Sequence, residues 1–249
     1  MDRQELTARL KVIIKPFVTN MDAYDNLTEE TDFIKDLNIN SANLVDIVLD
    51  LEENFNIVID NIDMERMLDV KTALEIIETK LAEKMIGNDI IDLAQSRIES
   101  NWQRKGFIEK LFTADEQLLI KNYAEPEIMV WLLWSMKEAA YKIYNRHTKI
   151  REFSPKKLSC SLDSLTSKNA SGRVICDKRI YHTKTILSLE NIHTIAVDNK
   201  KNINNVIEVQ NQEIVKDENG IPYLKILNSL QDISISHHGR FQKWVTIRQ

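Results

Sequence analysis

Glycine and proline are scarce in this 249-residue chain, at 5 and 4. So few glycines disfavour a Gly-rich phosphate-cradling loop, and so few of either favour short connections. Cys160 and Cys176 are the only cysteines. They are too few for a disulfide framework or a four-cysteine metal site, and both are expected as ordinary reduced residues. No apolar run approaches the roughly 18 residues that a membrane span requires, so the chain reads as soluble with no membrane partner. Asp2 and Glu5 occupy the N-terminus without a basic flank leading into an apolar core. A signal or transit peptide is therefore not expected, and the cytoplasm is the expected location. No Arg-rich run or nucleic-acid motif occurs, which argues against a nucleic-acid partner. What is present is ample core material: 43% hydrophobic and 29% charged residues, in a length suited to one large domain or two ordinary ones.

The charge is divided along the chain. Residues 1–84 hold 9 Lys plus Arg against 19 Asp plus Glu, and residues 85–249 hold 24 against 19, so net charges of −10 and +5 adjoin. Such a change of sign argues for two domains with different electrostatic tasks, at 1–84 and 85–249.

In the acidic part, Leu6, Leu10, Ile13 and Phe17 recur at helical spacing, as do Leu44, Ile47, Val48, Leu51 and Phe55, and then Val70, Leu74, Ile77 and Leu81. With a short segment between Asp60 and Leu68, the pattern predicts an all-α four-helix bundle with one short helix and a long first loop, from about Thr19 to Asn40. Ser41 stands at the start of the second long helix. It reads either as a plain N-cap or as a functional hydroxyl. Asp46, Asp50 and Glu53 follow at i, i+4 and i+7, an acidic stripe on the helix that Ser41 opens.

The stretch DLNINSANLVDIVLDLEENFNIVI resembles the acyl carrier protein family, whose second helix begins with a serine. The resemblance covers about residues 1–84. It implies that Ser41 is the attachment point of 4′-phosphopantetheine, and that the acidic stripe docks partner enzymes of acyl-chain biosynthesis. The family's usual Asp-Ser-Leu reads Asn40-Ser41-Ala42 here.

No linker follows: Met85-Ile86-Gly87-Asn88-Asp89 succeeds the last helix at once, and Met85 looks like an initiator joined to a preceding reading frame. Ile86 to Ala94 begins as a strand or turn. Gln95–Phe107, Thr113–Asn122 and Pro126–Arg146 read as helices, with Pro126 suited to a first helical position. Beyond Arg151, short alternating runs such as GRVICD, HTIAVD, DISISH and WVTIR predict an antiparallel sheet. The expectation is an α+β domain with helices on one face of that sheet. On the long helix, Met129, Leu132, Leu133, Met136, Ala140 and Ile143 form the core face. Trp131, Trp134, Glu138, Tyr141, Lys142 and Asn145 form the opposite one, with Lys137 on the flank. Asp89 on a tight Gly turn and Glu138 on a helix supply the minimum pair of oxygen ligands for Mg²⁺, which substrate phosphates and water complete.

Gly87-Asn88-Asp89, Phe112-Thr113-x-x-Glu116, Trp134-Ser135-x-Lys137-Glu138-Ala139-Ala140-x-Lys142, Asn219-Gly220-x-Pro222 and Ser234-x-Ser236-His237 resemble, in order, the 4′-phosphopantetheinyl transferase superfamily. About 150–219 is an insertion that the resemblance covers poorly. The likeness implies a holo-acyl-carrier-protein synthase that moves 4′-phosphopantetheine from coenzyme A onto the carrier serine, with Mg²⁺ as cofactor. It implies Asp89 and Glu138 as metal ligands, Glu138 or Lys137 as the base, and Lys142 at the phosphates. Ser236 and His237 fall at the nucleotide end, and Arg97 at the carrier helix. Ile91 stands where larger monomeric members carry a third acidic residue. This and Asp92 suggest the smaller type, and hence a homotrimer through the transferase domain. Two rival readings stay open: a carrier and scaffold protein with an inactive transferase part, and a coenzyme A sensor without turnover.

Overall fold

The structure is a computed structural model describing residues 3–55, 57–82, 85–149, 151–226 and 229–248. It divides into two compact units, Met1–Glu83 and Lys84–Gln249. The domain boundary expected at 84/85 touches residue 84, and the expected insertion starts at 150; both lie outside the described residues.

The first unit is helical: α1 (Arg3–Ile14), α2 (Met21–Asp25), α3 (Asn43–Phe55), α4 (Asn61–Arg66) and α5 (Val70–Ala82). Leu6, Leu10 and Ile13 of α1, Ile47, Val48, Leu51 and Phe55 of α3, and Val70, Leu74 and Ile77 of α5 share one core. Three long amphipathic helices and two short ones replace the expected four. The extra one, α2, forms because the Asn20 side chain caps it, accepting a hydrogen bond from the Ala23 N–H at 3.4 Å. The rest of the long loop is pinned. Phe33 N–H donates to the Leu68 carbonyl at 2.9 Å and Val70 N–H to that of Thr31 at 3.1 Å. This holds Phe33, Leu37 and Ile39 in the core, each worth about 1.5–3 kcal/mol of burial.

The second unit begins with β1 (Ile86–Asp92) and four helices: α6 (Leu93–Glu99), α7 (Phe107–Leu111), α8 (Ala114–Asn122) and α9 (Pro126–Thr148). The single helix expected over 95–107 is broken after Glu99. Arg104 N–H bonds to the Asn101 carbonyl at 3.0 Å, and Gly106, at φ +84°, makes the left-handed turn that opens α7. Then come β2 (Ser159–Leu165), β3 (Asn169–Cys176), β4 (Arg179–Leu187), β5 (Asn191–Val197), β6 (Val206–Glu208), β7 (Ile214–Lys216), β8 (Pro222–Ile226), β9 (Ser229–His238) and β10 (Phe241–Ile247).

These strands make two antiparallel five-stranded sheets, β1-β5-β4-β3-β2 and β6-β10-β9-β8-β7, rather than one. The division has a local cause at β1. One edge of β1 pairs with β5 through the backbone. Its other edge meets β9 through side chains: the N–H groups of Asn88, Ile90 and Asp92 donate to Ser234 Oγ at 2.8 Å, Ser236 Oγ at 3.0 Å and His238 Nδ1 at 2.9 Å. The stretch that the resemblance covers poorly supplies β2 to β5 of the first sheet from residue 159 onward.

Helix α9 packs against the first sheet. Leu132, Leu133, Met136, Ala140 and Ile143 join Val174, Tyr181, Ile192 and Ala196 in one core. Gly87 lies inside β1 and not in a turn: a Cβ there would fall 1.9 Å from the Ala139 carbonyl oxygen, so glycine lets the strand run against the helix. That close approach puts Asp89, two residues on, near Glu138. No described helix is long and apolar enough to cross a membrane.

Candidate functional site

In the first unit, Asn40 performs the capping that a serine at Ser41 could have supplied. Asn40 Oδ1 accepts the Ala42 N–H at 3.0 Å and its carbonyl accepts the Asn43 N–H at 2.8 Å. The Ser41 hydroxyl is exposed and makes no hydrogen bond among the described residues. Asp46, Asp50 and Glu53 are all exposed on α3, beside the exposed apolar Val45 and Leu49.

In the second unit, Asp89, Glu138 and His237 line one pocket of about 400 Å³, with Ile91, Phe107, Leu111, Trp131 and Trp134 forming its apolar wall. Asp89 is held by one oxygen only. Its Oδ1 accepts a hydrogen bond from Ser236 Oγ at 3.1 Å, whereas Oδ2 is buried without a partner among the described residues. Burial pushes the Asp89 carboxyl above its ordinary range, with the Lys142 charge and the Ser236 and Ser135 hydroxyls opposing; the Ser135 hydroxyl donates to the Asp89 backbone carbonyl at 3.5 Å. Glu138 is pushed up to about 7, by burial first and by repulsion from Asp89 second, with Lys142 partly offsetting both. Two half-buried carboxylates, both pushed up by desolvation and one of them also by the other, with an orphaned oxygen on Asp89, are short of positive charge. Asp89 and Glu138 are thus the pair fitted to hold a divalent cation. Among the described residues, no group of three or more His, Cys, Asp or Glu gathers as a full ligand set. A cation here would take its remaining ligands from water and substrate, the habit of Mg²⁺.

Three expected assignments change. Lys137 is fully buried, pairs with Glu116 at 2.8 Å, and donates to the carbonyls of Pro155 at 2.8 Å and Leu158 at 2.6 Å. All three ammonium donors are engaged away from the pocket, so Lys137 is a framework residue and not the base. Glu116 closes this ion pair while also completing a capping box with Thr113. Lys142 does not line the pocket. Its ammonium bridges the carbonyls of Asn88 at 2.6 Å and Ile235 at 3.0 Å, a buried cation satisfied by the two strands it joins. Burial lowers its pKa, with Asp89 and Glu138 countering in part. Ser236 touches Asp89 and the Ile90 N–H, so its hydroxyl is committed to the carboxylate pair and not to a nucleotide.

His237 is exposed at the pocket rim. Arg97, on the surface of α6, is gripped by Glu127 through Nε at 2.9 Å and an Nη at 3.0 Å. Asp92 is not among the residues that line the pocket. It caps α6 through the Ala94 and Gln95 N–H groups and pairs with Arg240, which together hold its carboxyl far below the usual range.

Sequence reasoning missed His238, whose ring accepts the Asp92 N–H and lies 3.1 Å from Glu99 Oε2. The signal was available: Ser234, Ser236 and His238 alternate at period two, so one face of β9 presents three acceptors in a row. Phe107 and Leu111 were missed because only the fold carries α7 to the pocket.

The family model of the 4′-phosphopantetheinyl transferase superfamily matches residues 85–197. The N-terminal region is similar to curated acyl carrier proteins. That of Coprothermobacter proteolyticus is 33% identical over 84 residues, 34% of this chain and 100% of its own. That of Thermotoga maritima is 34% identical over 79 residues, 32% of this chain and 95% of its own. Solved structures of holo-[acyl-carrier-protein] synthase also match. The one from Neisseria meningitidis has 15% identity and a TM-score of 0.36 over 47% of this chain and 98% of its own. The one from Thermotoga maritima has 13% and 0.35 over 57% and 82%. The chain belongs to the acyl carrier protein family and carries, joined to that domain, a domain of the 4′-phosphopantetheinyl transferase superfamily. Its second unit is accordingly of the phosphopantetheinyl transferase class.

Proposed function

We propose that the second unit moves the 4′-phosphopantetheine group of coenzyme A onto Ser41, in this chain or in another copy, with Mg²⁺ held by Asp89 and Glu138. The observation that carries the metal reading is the buried, unpartnered Asp89 Oδ2 in one pocket with Glu138. Bound there, Mg²⁺ supplies positive charge against the pyrophosphate, where negative charge develops during transfer.

The chain's own residues account for the rest. The Ser41 hydroxyl is free to react because Asn40 takes over the capping. Its oxygen attacks the β-phosphorus of coenzyme A. As that bond forms, the bond from β-phosphorus to the bridging oxygen breaks, and adenosine 3′,5′-bisphosphate leaves with the electron pair. Glu138 takes the serine proton, as a carboxylate that lines the pocket beside Asp89. Lys142 ties the strand that carries Asp89 to β9 through the Asn88 and Ile235 carbonyls. His237 at the rim meets the nucleotide end of the substrate. The acidic stripe of α3 meets the more basic transferase surface, which speeds encounter and makes it salt-sensitive. The loaded carrier then serves enzymes of acyl-chain biosynthesis.

Intact-protein mass spectrometry tests this reading. Chain isolated without the modification is incubated with coenzyme A, with and without Mg²⁺. A gain of one phosphopantetheinyl group that needs Mg²⁺ and is absent in Ser41→Ala and in Asp89→Ala is the expected result. Mixing Ser41→Ala chain with Asp89→Ala chain then shows whether transfer runs between chains. No gain would leave the inactive-scaffold or sensor readings standing.

A further inference from the structure

We infer that Ser236 is a positioning residue for the metal pair: it fixes the Asp89 carboxylate so that Oδ2 alone faces the cation. The inference rests on the reading of Asp89 and Glu138 as metal ligands and deepens it.

The hydrogen-bond inventory of one hydroxyl carries the argument. Ile90 N–H donates to Ser236 Oγ at 3.0 Å, so a lone pair of that oxygen is taken. The same oxygen lies 3.1 Å from Asp89 Oδ1, and a carboxylate can only accept. The serine proton therefore points at Oδ1, and the hydroxyl cannot rotate away without abandoning the Ile90 N–H. Ser236 is 5% exposed, so water does not compete for either bond. Asp89 is thus clamped from one side, with its second oxygen left over.

Ser234, two residues earlier on the same strand face, provides the internal comparison. It accepts the Asn88 N–H at 2.8 Å and does the same work of joining β9 to β1, yet it makes no hydrogen bond to Asp89 among the described residues. If the hydroxyl row served only to hold β1 in place, the two serines would be equivalent. If Ser236 orients a ligand, they are not, because removal of an outer partner of a metal ligand weakens the metal about 10–100-fold.

The test is Mn²⁺ binding to the full-length chain, followed by electron paramagnetic resonance of the free ion, for wild type, Ser236→Ala, Ser236→Thr and Ser234→Ala. Wild type is expected to bind one Mn²⁺ that Asp89→Ala abolishes. Ser236→Ala should bind about 10–100-fold more weakly. Ser236→Thr, which keeps the hydroxyl, should recover most of the affinity, and Ser234→Ala should stay within about threefold of wild type. In transfer assays, the Mg²⁺ concentration for half-maximal rate should rise in Ser236→Ala, with the KM for coenzyme A changed much less. Equal losses in Ser234→Ala and Ser236→Ala would overturn the inference and leave both serines as seam residues. Mn²⁺ binding unchanged in Ser236→Ala would overturn it as well. A wild-type chain that transfers phosphopantetheine but binds no Mn²⁺ would overturn the metal reading beneath it. Thermal unfolding of each variant identifies any loss caused by misfolding, and Ser236→Cys, close in size but only a weak donor, takes the place of Ser236→Ala with the same expected loss if that variant does not fold.

Discussion

Lys137→Met should weaken the second unit while leaving the chemistry of its pocket intact. Methionine fills much the same space as the lysine stem, so the perturbation falls on the polar contacts. Three are lost: the bond to Glu116 and the bonds to the Pro155 and Leu158 carbonyls. Glu116 remains fully buried, with N–H donors from Thr113 and Cys160 at 2.7 Å each but without its counter-charge. Breaking a buried pair by removing one member costs about 3–5 kcal/mol, a large part of the roughly 5–15 kcal/mol that holds a domain together. With a urea slope of about 2 kcal/mol per molar, the midpoint should fall by about 1.5–2.5 M. All four tryptophans, Trp102, Trp131, Trp134 and Trp244, lie in the second unit, so tryptophan fluorescence in urea reads its unfolding alone. Adding Glu116→Gln removes the stranded charge and should restore on the order of 1–2 kcal/mol. The transfer rate per folded molecule should stay within about threefold of wild type in both variants. An unmoved midpoint together with a hundredfold loss of rate would refute the reasoning and return Lys137 to the reacting groups.

Glu138→Gln should abolish the mass gain on Ser41, because it removes both a ligand of the cation and the base; in the metal-free chain Glu138 shows instead as a pH-dependent stability. The same carboxyl, with its folded pKa raised from 4.5 to about 7, holds its proton more tightly when folded. It therefore costs stability as pH rises through that window. Glu138→Gln should thus be more stable than wild type at pH 8, by up to about 3 kcal/mol, with the gap closing as pH falls from about 7 towards 4.5; equal urea midpoints at pH 8 would contradict this. Gly87→Ala forces a methyl to within 1.9 Å of the Ala139 carbonyl, so β1 must shift; the expected outcome is a loss of at least about 2–3 kcal/mol in the fluorescence melt and a larger loss of transfer. Ser41→Ala, at an exposed hydroxyl with no partner among the described residues, should change stability by less than about 0.5 kcal/mol while removing the mass gain; a clearly destabilised variant would restore the capping reading.

The residues at the pocket show which properties are readable along a chain. Helical periodicity announced α1, α3, α5 and α9, because burial of one helix face requires apolar residues at that spacing. Strand alternation announced most of the sheets for the same reason, although three-residue β7 was too short to carry a pattern. The carboxylates of Asp89 and Glu138 were legible as a pair through their motifs, and the structure brings both to one pocket. The basic residues were misread. A lysine beside a glutamate in sequence looks like shared chemistry, yet adjacent positions on a helix point about 100° apart. Glu138 therefore faces the pocket while Lys137 faces Glu116.

The sequence by itself determined two modules of opposite charge, the helical character of one and the mixed character of the other, and offered a serine and two carboxylates as candidate functional residues. These are local or compositional properties, carried by residue type and spacing. Only the tertiary structure decided which donors were already engaged. Lys137, Lys142 and Ser236 each carry groups capable of meeting a substrate, and each is instead turned inward to a carboxylate or carbonyl. A buried polar group must find a partner, and that partner lies 21 residues away for Lys137, 93 for Lys142 and 147 for Ser236. No local pattern reports contacts at that separation, whereas the fold, by running β1 between α9 and β9, makes them adjacent.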